Sequence, residues 1–447
     1  MTADDLILAA ALRNARDTRS LLLGSGVLNQ VGTVFSAQFG SMPCIVVADT
    51  NTFEVAGRDV LSALRQSGQP NREPLVLEVA GLYAEYSFVE RVKQAIHGID
   101  AIPVAVGGGV INDLTKLAAH LCGRSYMTVA TAASMDGYTA FGASIAYQGS
   151  KQTFDCPAPR AVVADLDVIA AAPEGMNASG YADLLAKCPA GADWIMADAL
   201  GVEPIDRTAW DLVQTRLRSW MDDPAGVRAG DIEALRRLTT ALMMTGFAMQ
   251  AASSSRPASG AEHQFSHLWD MENHTLLGCT PSHGFKVGIG SLASLAMYEA
   301  LLEMDVERLD VEAAVHAWPD AEVNEREVQA LFSGEELVVK AVVESRFKHV
   351  TSDALRSQLI TLKRRWPELR ERLSKQLIGR NAARDMLQAA GCPFESEQIG
   401  ISRDRLRMSY RKAYHIRRRF TILDVMRRAN FWDAALDRIF DDPGMPA

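Results

Sequence analysis

The period of the hydrophobic pattern changes part-way along the chain. From residue 20 to 172, compact apolar, β-branched runs alternate with stretches whose apolar residues recur every three or four positions. The first clear run, 44–48, ends at Asp49, and 74–79, 101–106, 126–130 and 161–164 repeat it. Such runs are too short for helices and too uniformly apolar for strands with one wet face. They predict buried parallel strands. Between them, Ser87 with Glu90 three residues on reads as a capping box opening a helix that closes near Gly98, and 111–121 is a second amphipathic stretch. Strands separated by helices predict βαβ units and a parallel, doubly wound sheet.

From Pro173 onward strand-like runs almost vanish. Long stretches with helical periodicity take over at 230–249, 284–304, 336–348, 352–376 and 420–440. The change of texture predicts two domains, an α/β domain over 1–172 and an all-α domain over 173–447. No internal repeat or low-complexity segment interrupts either.

At 447 residues there is enough chain for two or three domains with real cores. A formal charge of −9 argues against nucleic acid as a partner, because that surface must be basic. The basic run 415–420 reads as a solvated helix face or a salt-bridge strip. Six cysteines without a C-x-x-C pair suit free thiols in a reducing cytoplasm. The first residues are acidic where a signal peptide is basic, and no apolar run reaches the length of a membrane span. A cytoplasmic protein is expected.

Three stretches carry candidate chemistry. The run 101–106 leads straight into Gly107, Gly108 and Gly109 and then a helix, an arrangement in which free N–H groups and the helix dipole can receive a phosphate. It lacks the G-x-G-x-x-G spacing of the first strand of a dinucleotide fold. Asp49, ending an early strand, can accept from a ribose hydroxyl or simply cap a turn. The second stretch, 131–138, follows another strand end, where open α/β sheets bind ligands, and includes Thr131, Ser134 and Asp136.

The third stretch holds four of the nine histidines: His263, His267, His274 and His283. His263 and His267 stand four apart, on one face of a helix, and His283 precedes the next helix. Two histidines one turn apart with a third nearby is a metal-ligand pattern. A carboxylate usually completes such a site, and Glu174, Asp183, Asp193, Glu262, Asp270 and Glu272 are all candidates by position.

Taken together, GGGVINDLTK, TAASMDGY, GYADLLAK, SGAEHQFSH and PSHGFKVG resemble the metal-dependent polyol dehydrogenases related to iron-containing alcohol dehydrogenases, glycerol dehydrogenases and dehydroquinate synthases. Within that superfamily the chain is most similar to the sn-glycerol-1-phosphate dehydrogenases of the bacterial, arabinose-operon type. The resemblance implies an N-terminal Rossmann-like dinucleotide-binding domain plus an all-α C-terminal domain, the dehydroquinate synthase-like fold. It implies Asp183, His263 and His283 as ligands of one divalent cation, zinc, nickel or iron. NAD(H) or NADP(H) would be held by Gly108, Gly109, Val110, Ile111, Asn112, Asp113, Thr131, Ala132, Ala133 and Ser134, with Asp49 near the adenosine ribose. Asp136, Asp183 and His267 would contact the substrate.

Two positions depart from the relatives. Lys187 stands where iron-containing alcohol dehydrogenases resemble one another in having a fourth ligand, a histidine, which implies a three-ligand site open to substrate. Ala140 replaces a cofactor-contacting serine, with Thr139 beside it. The chain is also longer than the archaeal members.

The resemblance implies reduction of dihydroxyacetone phosphate to glycerol 1-phosphate, with Arg256, Lys286 and Lys151 as candidate cations for the phosphate. A polyol dehydrogenase without phosphate recognition is the nearest alternative. A sugar-phosphate cyclase resembling dehydroquinate synthase is a further one, disfavoured by Asp183 in place of a glutamate ligand and by few basic residues. An inactive metal-binding protein fits poorly with an intact ligand set. A homodimer or larger homo-oligomer is expected from the long amphipathic helices.

Overall fold

A computed structural model describes residues 3–148 and 150–441. Eight strands form two sheets: β1 Ser20–Gly24, β2 Cys44–Asp49, β3 Leu75–Leu77, β4 Ile102–Gly107, β5 Met127–Ala130, β6 Ala143–Tyr147, β7 Ser150–Phe154 and β8 Ala161–Asp165. Six of them make one parallel sheet in the order β1-β8-β5-β4-β2-β3. The predicted runs at 44–48, 101–106, 126–130 and 161–164 lie in its four central strands, whose side chains are almost all buried. Helices cover both faces. Val46, Val104, Val129 and Val163 pack against Val31, Phe35 and Val60 on one side. Ile45, Val47 and Ala105 pack against Val89, Leu114 and Leu117 on the other. Two-sided burial is why these strands read as unbroken apolar runs.

Beyond Asp165 the described residues form no further strand. The second half is built on helices Ile232–Ala252, Ala261–Met271, His283–Glu303 and Ser352–Gln376, among others. Helix His283–Glu303 is long and apolar enough to cross a membrane, yet it is packed inside this helical core, where Tyr298 and Leu301 are fully buried. Another cluster joins the two halves, uniting Ala130 and Val162 with Tyr181, Leu242 and Leu295. The N-terminal helix Ala3–Asn14 adds Leu8 and Ala11 to it.

Several local expectations are corrected. Helix Tyr86–Ile96 is capped by Glu85, whose side chain accepts from the Ser87 N–H, so the Ser87–Glu90 box is not the cap. The stretch 420–440 is two helices, Ile422–Arg428 and Trp432–Asp441, parted where Asn430 adopts a left-handed φ of 57°. The basic run 415–420 is no solvated helix face. It follows helix Arg403–Tyr414 as a loop with His415, Ile416 and Phe420 buried. Strand β1 and the antiparallel hairpin β6–β7 were not expected at all.

Candidate active site

The carboxyl ends of β2, β4, β5 and β8 point the same way, and a cavity opens beside them against the helical half. Gly109, Asp113, Ser134 and Asp136 line it from the sheet side, and His263, His267 and His283 from the helices.

Two glycines set the spacing. A Cβ on Gly180 would fall 1.8 Å from the carbonyl oxygen of Ala133, and one on Gly284 1.8 Å from that of Ser179. Only bare backbone lets helix Glu174–Leu185 press on the loop after β5 and helix His283–Glu303 press on Glu174–Leu185. Asp183 is thereby brought against His283. Ser282 caps the latter helix by accepting from the Phe285 N–H, so His283 is its first residue rather than the last of the loop.

Ligand atoms of Asp183, His263 and His283 lie within 4.8 Å of one another. Asp183 Oδ1 is 3.7 Å from His263 Nε2, and the His263 and His283 ring centres are 5.3 Å apart. Burial pushes all three cavity imidazoles well below the ordinary histidine range, helped by nearby lysines and arginines, so they are neutral at neutral pH. Nδ1 of His283 and of His267 is buried without a hydrogen-bond partner. With His263 Nε2 facing Asp183, the bare Nδ1 of His283 and the buried Asp183 carboxylate complete the nitrogen and oxygen donor set that a borderline divalent cation takes. The residues present therefore fit such an ion.

Asp183 is wholly buried and its carboxyl is pushed up to about 6, by burial first and then by the neighbouring Asp136. Lys187, also without exposure, lies 2.7 Å from Asp183 Oδ1 and 2.6 Å from Asp136 Oδ2. The lysine at the fourth-ligand position thus neutralises the site instead of coordinating.

Of the other candidate carboxylates, two support helix Ala261–Met271. Glu262 Oε1 lies 2.9 Å from His263 Nδ1. Asp193 accepts from the Ala261 N–H at 2.7 Å, the Tyr298 hydroxyl at 2.6 Å and the Ile422 N–H at 2.7 Å. Asp270 pairs with Lys151 and Lys286, Glu272 with Arg405 and Lys412, and Glu174 with Arg228. His274 is turned away to the Ile399 carbonyl and Arg405, outside the cluster.

On the sheet side, Gly108 caps helix Gly109–Leu121 with extended backbone and no side-chain bond, leaving first-turn N–H groups free of a side-chain cap. Val110 and Asp113 reach the cavity with Gly109. Ile111 is core, and Asn112 is buried, taking the Tyr126 hydroxyl and donating to the Gly137 carbonyl. Thr131, Ala132 and Ala133 are buried beneath the loop, with Ala133 N–H held by Asn177 at 3.0 Å. Asp49 closes β2 by capping the next turn, accepting from Thr52 N–H at 2.9 Å. Thr139 does not stand in for the serine absent at Ala140. Its hydroxyl is buried and donates to the Met243 carbonyl at 2.7 Å.

Residues 22–173 match the family described as iron-containing alcohol dehydrogenase. A glycerol-1-phosphate dehydrogenase (NAD(P)+) of Halalkalibacterium halodurans is 34% identical over 282 residues, covering 62% of this chain and 70% of the relative. One from Pyrococcus furiosus is 35% identical over 275 residues, covering 61% and 77%. The chain belongs to the glycerol-1-phosphate dehydrogenase family. One from Bacillus subtilis extends the match to 86% of this chain and 84% of its own length, at 29% identity. In fold the chain is similar to the glycerol dehydrogenase of Schizosaccharomyces pombe, with a TM-score of 0.59 at 16% identity over 97% of this chain and 94% of that one. The expected dehydroquinate synthase-like architecture, parallel sheet then helices, is thus the one observed.

Sequence reasoning missed Arg417. It lines the cavity alongside Ser255 and Ser259, which precede it by 162 and 158 residues. Position in the chain gave no signal for a contact that long-range.

Proposed function

We propose that this chain catalyses the reversible, NAD(P)H-linked reduction of dihydroxyacetone phosphate to sn-glycerol 1-phosphate, with a divalent cation held by Asp183, His263 and His283. The observation that carries this reading is the convergence of those three ligand atoms within 4.8 Å, in a member of this family. Residues 1–172 are read as the dinucleotide-binding part and 173–447 as the metal- and substrate-binding part.

When bound, the cation supplies Lewis acidity toward the C2 oxygen and the reduced dinucleotide supplies the hydride. The chain does the rest. The start of helix Gly109–Leu121 offers N–H groups and a favourable dipole to the pyrophosphate. Asp183 and the two neutral imidazoles present lone pairs without protons to displace from nitrogen. Lys187 offsets the charge of the neighbouring carboxylates Asp136 and Asp183 and holds both in place. His267, neutral and one turn from His263, faces the cavity and holds a substrate hydroxyl or passes the proton that the ketone gains on reduction. Asp136, at the cavity wall, accepts from a substrate hydroxyl.

The protein is further read as a cytoplasmic homodimer or larger homo-oligomer, which light scattering tests. The reaction is tested by NADH and NADPH oxidation with dihydroxyacetone phosphate and dihydroxyacetone side by side. The phosphorylated ketone should be strongly preferred, and EDTA or His263→Ala should abolish the rate. Equal rates on the two ketones would point to a general polyol dehydrogenase.

A further inference from the structure

The candidate cations for the substrate phosphate separate once their side chains are seen. Arg256 is 1% exposed and spends its guanidinium on the carbonyl oxygens of Phe420 and Asp193, both at 2.9 Å. Lys286 is buried against Asp270 and does not line the cavity. Lys151, on β7, does line it.

Lys151 and Lys286 share one carboxylate, Asp270, so a positive charge is left over at the cavity wall. Arg417 enters the same cavity from the loop after helix Arg403–Tyr414. Its guanidinium donates to the Ser255 hydroxyl at 2.9 Å, and no carboxylate pairs with it among the described residues. Glu262 and Glu344 act on it only from a distance, and a sheltered guanidinium with no carboxylate in contact is costly unless an anion fills the space in front of it. The nearby Arg419 is fully spent on Ser255 and Ser259, so it braces this wall and leaves Arg417 as the free donor. His267 lines the same cavity as Arg417 and Lys151, so both cations face the space in front of that imidazole.

We propose that Arg417 and Lys151 together take up the phosphate end of the substrate, on the His267 side of the cavity, and so set the preference for a phosphorylated ketone. This rests on the reading of the reaction given above. Guanidinium offers phosphate a planar fork and the ammonium a point charge, so the two share one dianion without competing for the same oxygen.

The test compares Arg417→Met and Lys151→Met with the unsubstituted enzyme, metal-loaded, on dihydroxyacetone phosphate and dihydroxyacetone. Each substitution should lower the ratio of kcat/KM for the phosphorylated over the plain ketone about 10- to 100-fold, mainly through KM. Arg417→Lys should recover part of it. Inorganic phosphate should inhibit the unsubstituted enzyme competitively, and titration calorimetry with glycerol 1-phosphate should show weaker binding in both methionine variants. An unchanged ratio in folded Arg417→Met, with the unsubstituted enzyme still preferring the phosphorylated ketone, overturns this assignment and leaves the reaction standing. No preference in the unsubstituted enzyme overturns the reaction and this assignment with it. Should Arg417→Met fail to fold, Lys151→Met and Arg417→Lys carry the same comparison.

Discussion

Glu262 Oε1 lies 2.9 Å from Nδ1 of His263, the imidazole whose other nitrogen faces Asp183 at 3.7 Å. A carboxylate only accepts, so the ring proton sits on Nδ1 and the Nε2 lone pair is directed at the site. The same carboxylate takes the Gly260 N–H, which ties the ring to the start of its own helix.

Replacing Glu262 by Gln keeps an acceptor but removes the charge that makes Nε2 a better donor. Metal affinity should fall about 10- to 100-fold. Competition between the protein and a chelator reads this directly, and an affinity equal to the unsubstituted protein's would show that the carboxylate serves only the helix.

Lys187 and Asp183 are both fully buried at 2.7 Å, with Asp136 on the other side of the lysine. Lys187→Met would leave two carboxylates facing each other without a counter-charge. Breaking a buried pair in this way costs about 3–5 kcal/mol. Denaturant unfolding of the metal-free variant should show that loss, and added divalent cation should restore part of it by supplying the missing positive charge.

Asp270 is held at about 2: burial raises it, but Lys151 and Lys286 outweigh burial. A folded pKa below the usual carboxylate value means stability that is present above about 4 and lost as pH falls toward 2. Asp270→Asn should therefore cost about 2 kcal/mol at neutral pH, and the difference from the unsubstituted protein should shrink through the acid range. Melting curves at pH 7, 4 and 2.5 would measure it, and a constant difference would mean that the carboxylate's charge is not what binds hairpin β6–β7 to helix Ala261–Met271.

What could be read in the sequence was local. The central strands announced themselves because both faces are buried, and His263 and His267 because four residues make one helical turn. Hairpin β6–β7 did not, since Ser144, Lys151 and Gln152 interrupt its apolar residues. The choice among carboxylates was also beyond spacing: Asp183 and Glu262 lie 79 residues apart, and a fold is needed to say which reaches the cavity and which stands behind a histidine. Arg417 is the same case. Its neighbours in the chain are arginines with structural partners, and only its place on the cavity wall sets it apart.

Gly284 follows His283 directly, and a Cβ there would sit 1.8 Å from the Ser179 carbonyl oxygen and 2.6 Å from its hydroxyl. Backbone cannot swing aside as a flexible side chain can, so Gly284→Ala must push helix His283–Glu303 off helix Glu174–Leu185. The first carries His283 and the second Asp183, so the ligand set opens by the same displacement. A shift of about 1 Å at reacting groups costs on the order of 100-fold in rate. The variant should therefore lose stability, divalent-metal affinity and turnover together, with NADH or NADPH binding the least affected because helix Gly109–Leu121 lies on the other wall. Metal affinity intact in a destabilised Gly284→Ala protein would show that the two helices can separate without moving His283 from Asp183.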